Sequence, residues 1–227
     1  MPCPKDFSRT NLIGRAYAGS QRQIQTYVNE RTEAFNSAVA QSLSHYNLNE
    51  KDIHWVSPLA ADEYSEYRDS ECLERVGLES LAPQLLEFWP RLGPCWDALA
   101  RIGSGCLLIE AKSHVPEIYG GGCGASLQST QKIQKAFDAT KAWLGVSPDI
   151  DWTGPLYQSA NRYAHLYFLT EIAKIRAFLV NVYLIDDPRP RARTTREDWD
   201  AAIERVDQEL GLTCKVPHSA AVFLTAQ

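Results

Sequence analysis

The stretch WDALARIGSGCLLIEAK, residues 96–112, decides the fold of this chain of 227 residues. Two short apolar runs flank the tripeptide Gly-Ser-Gly at 103–105. Gly-Ser suits the two central positions of a type II′ turn, so the pattern predicts a β-hairpin. Alternate side chains of a strand share a face, which puts Glu110 and Lys112 together on the second strand. The opposite face of that strand then points into a core through Leu107, Ile109 and Ala111.

The length of the turn decides where Asp97 lies. A two-residue turn at 103–104 puts Asp97 opposite Glu110, and a turn at 104–105 puts it opposite Lys112. Either register gathers the three charged groups on one face of the hairpin. A three-residue turn would move Asp97 to the other face, because one residue of slip inverts every side chain of a strand.

Three such groups on one face point to metal chemistry. Two neighbouring carboxylates repel each other, and a divalent cation relieves that repulsion; hard oxygen ligands suit Mg²⁺ or Mn²⁺. We expect Asp97, Glu110 and the carbonyl of Ala111 as ligands. Lys112 can orient an attacking water and stabilise charge on a phosphate. The set therefore predicts hydrolysis of a phosphodiester.

The segment Gly93-Pro94-Cys95-Trp96-Asp97, followed after the turn by Glu110-Ala111-Lys112, resembles the motif of the PD-(D/E)XK nuclease superfamily. That family places its Asp on one strand and its Glu-x-Lys on the next. Trp96 stands where the family pattern has Pro. The resemblance implies a restriction-endonuclease-like mixed β-sheet flanked by helices, Mg²⁺ or Mn²⁺ as cofactor and DNA as substrate. An ordinary surface hairpin with charged residues remains the alternative.

The resemblance also implies a carboxylate from a helix before the sheet. A helix predicted over 60–76, ending at Gly77, offers Glu63, Glu66 and Glu71. We favour Glu66 because it lies inside the compact run EYSEYR. A solvated acidic helix face is the simpler interpretation of each glutamate alone.

A second polar feature lies on a helix predicted over 156–172. The spacing i, i+3, i+4 and i+7 gives one narrow stripe on an otherwise apolar helix. Such a stripe can contact phosphate or organise water, so we expect it to bind substrate opposite the metal; a hydrogen-bonded structural helix explains it equally well. Its members are Gln158, Asn161, Arg162 and His165.

The remaining pattern predicts an α/β protein with a mixed sheet. Helices are predicted over 20–45, 126–144 and 194–210, the last with a capping box from Thr194 to Glu197. Strands are predicted over 53–58, 175–185 and 220–225. We expect one domain, with residues 1–55 as a helical N-terminal extension and 56–227 as the nuclease-like core.

Composition limits the choice of function. The formal net charge of −5 argues against a protein that coats nucleic acid by bulk positive charge, although local basic clusters occur at 132–141 and 189–193. No apolar run reaches membrane-spanning length and no signal-peptide block is seen, so we expect no membrane partner and a cytoplasmic location. The six cysteines are then expected to be reduced, packed thiols.

Two other functions stay open from the sequence. The first is a catalytically silent protein that keeps a nuclease-like fold as a binding or scaffold module, which the net acidity favours. The second is a metal-dependent hydrolase of a small phosphate ester, which a closed pocket of nucleotide size would favour.

Overall fold

The computed structural model describes residues 2–188 and 193–227. Within these ranges five strands form one sheet, and helices cover both of its faces. The strands are β1 Ile53–Ser57, β2 Ala98–Ile102, β3 Gly105–Lys112, β4 Ala177–Ile185 and β5 Ser219–Thr225. The α-helices are α1 Gly19–Glu30, α2 Thr32–Ser42, α3 Asp69–Arg75, α4 Ala82–Phe88, α5 Leu127–Leu144, α6 Tyr157–Tyr167 and α7 Arg196–Glu209.

The sheet has the order β1-β2-β3-β4-β5, and β2 alone runs against the others. In the antiparallel half, a tight turn joins β2 to β3, while a long connection with α3 and α4 joins β1 to β2. The parallel half needs crossovers, and α5, α6 and α7 supply them, as parallel pairing requires. The prediction of an α/β protein with a mixed sheet flanked by helices is confirmed.

The β2–β3 hairpin turns through Gly103 and Ser104. Ile102 pairs with Gly105, so the turn has two central residues, and Gly103 has a φ of +64° as the first position of a type II′ turn requires. The first of the two possible two-residue registers is therefore the one observed. A Cβ on Gly105 would overlap the carbonyl oxygen of Arg176, which explains glycine there.

The two faces of the sheet carry separate apolar clusters. Leu107, Ile109 and Ala111 of β3 pack with α1 and α2, as predicted from their alternation. The other face packs against the aromatic-rich layer of α3 to α7, which includes Trp89, Trp96, Trp152 and Trp199. Residues 19–42 thus cover one face of the sheet, while the division of the chain at residue 55 stays a prediction.

Two helix predictions need correction. The stripe over 20–45 is two helices, with a break at Arg31, whose φ of −128° is not helical. The helix predicted over 60–76 is wrong in its first half, since only a 3₁₀ turn at Ala60–Asp62 precedes α3. Between them Tyr67 pairs with Trp96 across an isolated β-bridge. Tertiary pairing with the hairpin has overridden the local helix preference there.

Smaller differences lie at the ends of elements. Helix α6 ends at Tyr167 and continues as a π-helical turn over Phe168–Ile172, and α7 begins at Arg196, two residues after the predicted start. Its capping box joins Thr195 to Asp198, so the predicted pair was one residue out of register. The arginine-rich prediction at 189–193 lies outside the described residues except for Arg193.

The structure also bears on the state of the cysteines and on membrane-spanning helices. Cys3 and Cys95 form a disulfide, so the expectation of six reduced cysteines is wrong for this pair. The other four, Cys72, Cys106, Cys123 and Cys214, are free thiols. In the part of the chain that the structure describes, no helix has the length and apolarity to cross a membrane.

Candidate active site

Glu110 lies at the centre of a buried ion-pair network on the aromatic-rich face of β3. Its Oε2 accepts from Arg162 at 2.7 Å from Nε and 2.6 Å from Nη2, and its Oε1 lies 2.7 Å from Lys112 Nζ. Burial opposes the charged form, but Arg162 and Lys112 outweigh it and lower the pKa of Glu110. The carboxylate is therefore ionised at neutral pH, as a ligand or an electrostatic anchor must be.

Lys112 lies on the same face, two residues further along the strand. Its ammonium donates to Gln158 Oε1 at 3.2 Å as well as pairing with Glu110. Burial favours the neutral amine, but the charges of Glu110 and Asp97 reverse that preference and raise the pKa of Lys112. Lys112 is thus a fixed cation, suited to stabilising negative charge rather than to acting as a base.

Asp97 lies one residue before β2, and its N–H donates to the carbonyl oxygen of Ile109 at 3.2 Å. Its Oδ2 accepts from the backbone N–H of Ala111 at 2.7 Å, which ties the carboxyl to the adjoining strand. Burial raises the pKa of Asp97 well above its usual range, and the neighbouring charges of Glu110 and Glu66 raise it further. The ionised form of Asp97 is therefore disfavoured where it stands, and a cation bound beside it would favour that form.

Glu66 is the third carboxyl of the group. It lies in the extended segment before Tyr67, not on a helix, and the bridge of Tyr67 to Trp96 brings it near Asp97. Its Oε1 accepts from Gln21 Nε2 at 2.9 Å. Burial raises the pKa of Glu66 to about 7, and the charge of Glu110 acts in the same direction. Glu63 pairs instead with Lys5 at 2.7 Å, whereas Glu66 is a charge neighbour of Asp97; the catalytic task of Glu66 stays a prediction.

The residues of the predicted polar stripe of α6 differ in what they contact. Gln158 and Arg162 reach the site through Lys112 and Glu110, as described above. Asn161 Oδ1 accepts from Arg162 Nη1 at 2.7 Å and so helps to orient the guanidinium. His165 lies in the core, edge-on to Trp89 and Trp96, and burial lowers its pKa to about 4.

His165 also contacts the backbone of its own helix. Its Nδ1 lies 2.8 Å from the carbonyl oxygen of Asn161, one turn earlier on the same helix. Asn161 and Arg162 are buried to the same degree as His165, at 6% and 7% exposed against 6%. Substrate binding by the four residues of the stripe stays a prediction.

The segment before α1 contributes to the site in a way that the sequence did not reveal. Cys3 is bonded to Cys95, whose carbonyl oxygen accepts from Arg162 Nη2 at 3.1 Å. The Cys3 N–H also donates to the carbonyl oxygen of Glu66 at 2.8 Å. These contacts join sequence-distant segments, and no local pattern marks them in advance.

A cavity of about 510 Å³ opens beside the network. Its walls include Glu110, Lys112, Gln158 and Arg162, together with Tyr183 of β4. A pocket of this volume is in the usual range for small-molecule sites. It gives the charged end of β3 an open space in which a ligand can lie.

Comparison of the chain with family models, with curated proteins and with solved structures finds no match. The function of the chain is therefore inferred from the geometry of the site and not from a relative.

The donor set can be tested against a divalent cation. Among the described residues no three His, Cys, Asp or Glu side chains are arranged as a ready cluster. Mg²⁺ commonly binds through one or two carboxylates and keeps several waters, so it does not need such a cluster. Glu110 and Asp97, whose carboxyl accepts from the Ala111 N–H, supply oxygen donors of the right kind. The residues present fit Mg²⁺ or Mn²⁺.

Proposed function

We propose that the chain is a Mg²⁺- or Mn²⁺-dependent nuclease that hydrolyses phosphodiester bonds of DNA, with a restriction-endonuclease-like arrangement of its sheet. One observation carries the proposal: Glu110 and Lys112 lie on one face of β3 at the wall of a cavity, and the Ala111 N–H holds the Asp97 carboxyl beside them. The raised pKa of Asp97 supports it, since a buried carboxyl repelled by its neighbours is primed for a cation.

In this proposal each residue has a separate task. Asp97, Glu110 and the Ala111 carbonyl hold the metal, which would lower the pKa of a bound water and neutralise phosphate charge. Lys112 provides a fixed positive charge toward the scissile phosphate, and Gln158 positions its ammonium. Arg162 keeps Glu110 ionised and in place.

Glu66 has a different task, because its pKa of about 7 allows it to exchange a proton near neutral pH. We assign it to proton transfer beside the attacking water, where a group with a pKa near the working pH is most effective. Gln158, Asn161 and Arg162 are the candidates for contacts with the strand on the wall of α6.

A cleavage assay tests the assignment. Supercoiled, linear and single-stranded DNA and a small aryl phosphodiester are incubated with Mg²⁺, with Mn²⁺ or with a chelator. We expect metal-dependent DNA cleavage, reduced about 100- to 1,000-fold by Asp97→Asn and by Lys112→Gln. Matched controls are Asp200→Asn and Lys174→Gln, whose side chains are 56% and 72% exposed. Circular dichroism confirms that each variant is folded.

Cleavage at the wild-type rate by both site variants would overturn the assignment. Hydrolysis of the small phosphodiester without cleavage of DNA would replace the polymer by a small ester as substrate.

One observation favours a second function, a catalytically silent binding or scaffold protein. Both oxygens of Glu110 are already paired with cations of the chain, so the network is balanced without a metal. Calorimetry with Mg²⁺ and Mn²⁺ separates the two functions. Heat of binding that disappears in Asp97→Asn supports the nuclease, and no binding above background supports the scaffold.

A further inference from the structure

A second cavity, of about 360 Å³, opens where β3 ends and α1 begins. Its walls include Arg9, Ala18, Gly19, Ser113 and His114. Ser113 follows Lys112 directly, so this cavity adjoins the candidate active site on the side of the N-terminal helices. None of these residues has a task in the proposed hydrolysis.

The N-terminus of α1 faces this cavity without a cap. Ala18 provides no side-chain hydrogen bond to the first turn, and that turn holds no acidic residue. The first backbone N–H groups of a helix have no partners within the helix, and together with the helix dipole they attract anions. A Cβ placed on Gly19 would meet no atom of the described residues within 4 Å, so a ligand has room to approach the backbone there.

Ser113 gives a second, independent indication of a ligand. It is only 1% exposed, yet its Oγ has no hydrogen-bond partner among the described residues. A buried hydroxyl without a hydrogen-bond partner is unfavourable, so such groups usually mark a position that a ligand or water fills. Ser113 lines the same cavity as Ala18 and Gly19, so its hydroxyl can donate to an anion that is bound there.

Charge around the cavity is mixed, which limits the anion it can hold to one of low charge. Arg9 is exposed on its wall, and its charge lowers the pKa of Glu66 against the effect of burial. His114 has its own acidic neighbour, since its Nδ1 lies 3.1 Å from Glu117 Oε1. Asp187 also lines the cavity and takes part in an interaction of its own. Its presence disfavours a dianion more than the single charge of a phosphodiester.

We propose that this cavity binds a non-scissile phosphodiester group of the nucleic-acid strand, through the N–H groups of α1, Ser113 Oγ and the Arg9 guanidinium. The identity of the polymer rests on the proposed nuclease function, whereas the anion site stands on its own contacts. The strand would run from this site across Lys112 to the larger cavity. Ser113 and Arg9 are positioning residues, with no part in bond cleavage.

Equilibrium binding without metal tests the site separately from catalysis. Fluorescence anisotropy follows a labelled single-stranded oligonucleotide and the matching duplex in the presence of a chelator. We expect Arg9→Gln to weaken binding about tenfold and Ser113→Ala about threefold, as loss of a charge-assisted and of a neutral hydrogen bond predicts. Ser113→Ala should leave thermal stability equal or higher, because it removes a buried hydroxyl without a partner among the described residues.

The matched control is Arg31→Gln, an exposed arginine at the opposite end of α1. Equal weakening by Arg9→Gln and Arg31→Gln would reduce the effect to bulk charge and overturn the site. Inorganic phosphate, added at constant ionic strength, should displace the oligonucleotide no better than chloride. Displacement that depends on Ser113 would assign the cavity to free phosphate and overturn the strand assignment.

The two proposals fail differently. Absence of cleavage together with the expected binding differences would remove the nuclease and keep the phosphate site. Cleavage with identical affinities in all variants would remove only the phosphate site.

Discussion

Side chains alternate along β3, so that one face of the strand is apolar and the other ends in charged residues. On the side of α1 and α2, Leu107, Ile109 and Ala111 are at most 1% exposed and pack with aliphatic and aromatic side chains. On the side of α6, the strand begins apolar but ends in Glu110 and Lys112, which are held by ion pairs. The first face holds the sheet together, and the second exposes charge to a cavity at one end.

The difference shows how a buried charge can be tolerated. Glu110 is surrounded by cations of the chain itself, whereas Asp97 and Glu66 lack such ion pairs among the described residues and show raised pKa values instead. The face of β3 toward α1 and α2 is therefore packed with apolar side chains throughout. The face toward α6 brings together carboxyl groups whose negative charges repel one another. Such conflict is typical of functional sites, where stability is given up for reactivity.

The largest expected effect comes from Arg162→Met on the charged face. It leaves Glu110 buried with Lys112 alone, and we expect a loss of about 3–5 kcal/mol of unfolding free energy at pH 8. Loss of the guanidinium also raises the pKa of Glu110. The destabilisation should therefore shrink as the pH falls through that raised value, because the protonated carboxyl no longer needs a partner. Urea unfolding at pH 8 and pH 5 measures both quantities.

The double variant Arg162→Met with Glu110→Leu is the control for this effect. Removing both charges should restore more than half of the lost stability, since an apolar pair can replace a buried ion pair. Additive losses in the double variant would mean that Arg162 stabilises the fold by packing on Trp96, above which its guanidinium lies, and not by charge.

A smaller effect is expected from Leu107→Ala on the apolar face. We expect a loss of about 3 kcal/mol from the lost burial and the cavity left behind. The loss should be the same at pH 5 and pH 8, because the side chains around Leu107 are apolar. Leu127→Ala, at a residue 79% exposed, should change stability by less than about 0.5 kcal/mol in the same urea titration. A strong pH dependence of the Leu107→Ala loss would show that the two faces are coupled.

The smallest change in unfolding free energy is expected from Glu66→Gln. Unlike the changes expected from Arg162→Met and Leu107→Ala, it is an increase. The folded-state pKa of Glu66, about 7, lies above its ordinary value of 4.5, so the folded chain favours the protonated form. Its stabilising contribution is complete below pH 4.5 and is lost as the pH rises through 7. The amide of the variant cannot ionise and can still accept from Gln21, so the variant should be roughly 2 kcal/mol more stable at pH 8 and unchanged at about pH 4.

Thermal and urea unfolding of Glu66→Gln at both pH values check this expectation, with the exposed Glu79→Gln as control. A loss of stability at pH 8 would mean that Glu66 is ionised and paired in the folded protein. It would then be unsuited to the proton transfer that we assign to it.

Local sequence was sufficient to predict those structural features that depend on a single short segment. The hairpin, its two-residue turn and the common face of Glu110 and Lys112 follow from the Gly-Ser pair and the period of a strand. Ser126 as cap of α5 follows equally from neighbouring residues, because its side chain accepts from the Ser129 N–H. The prediction failed over 60–68, where the chain pairs with a distant strand instead of forming a helix.

Contacts between residues far apart in the sequence could not be predicted from local sequence patterns. The Cys3–Cys95 bond, with a sequence separation of 92, brings the first residues to the hairpin. The contact of Gln21 with Glu66 and the place of α1 over β3 depend on the same packing. No periodicity records which of several carboxylates or cysteines will meet, because that choice is made by the docking of whole elements.

The sequence by itself therefore determined the charged face of the hairpin and the class of the fold, since both depend on alternation and turn geometry within a few residues. Only the tertiary structure decided that Arg162 pairs with Glu110, that His165 is enclosed by tryptophans and that Ser113 faces the start of α1. These outcomes depend on how helices rotate and cover the sheet to bury their apolar surface, which is a property of the whole chain.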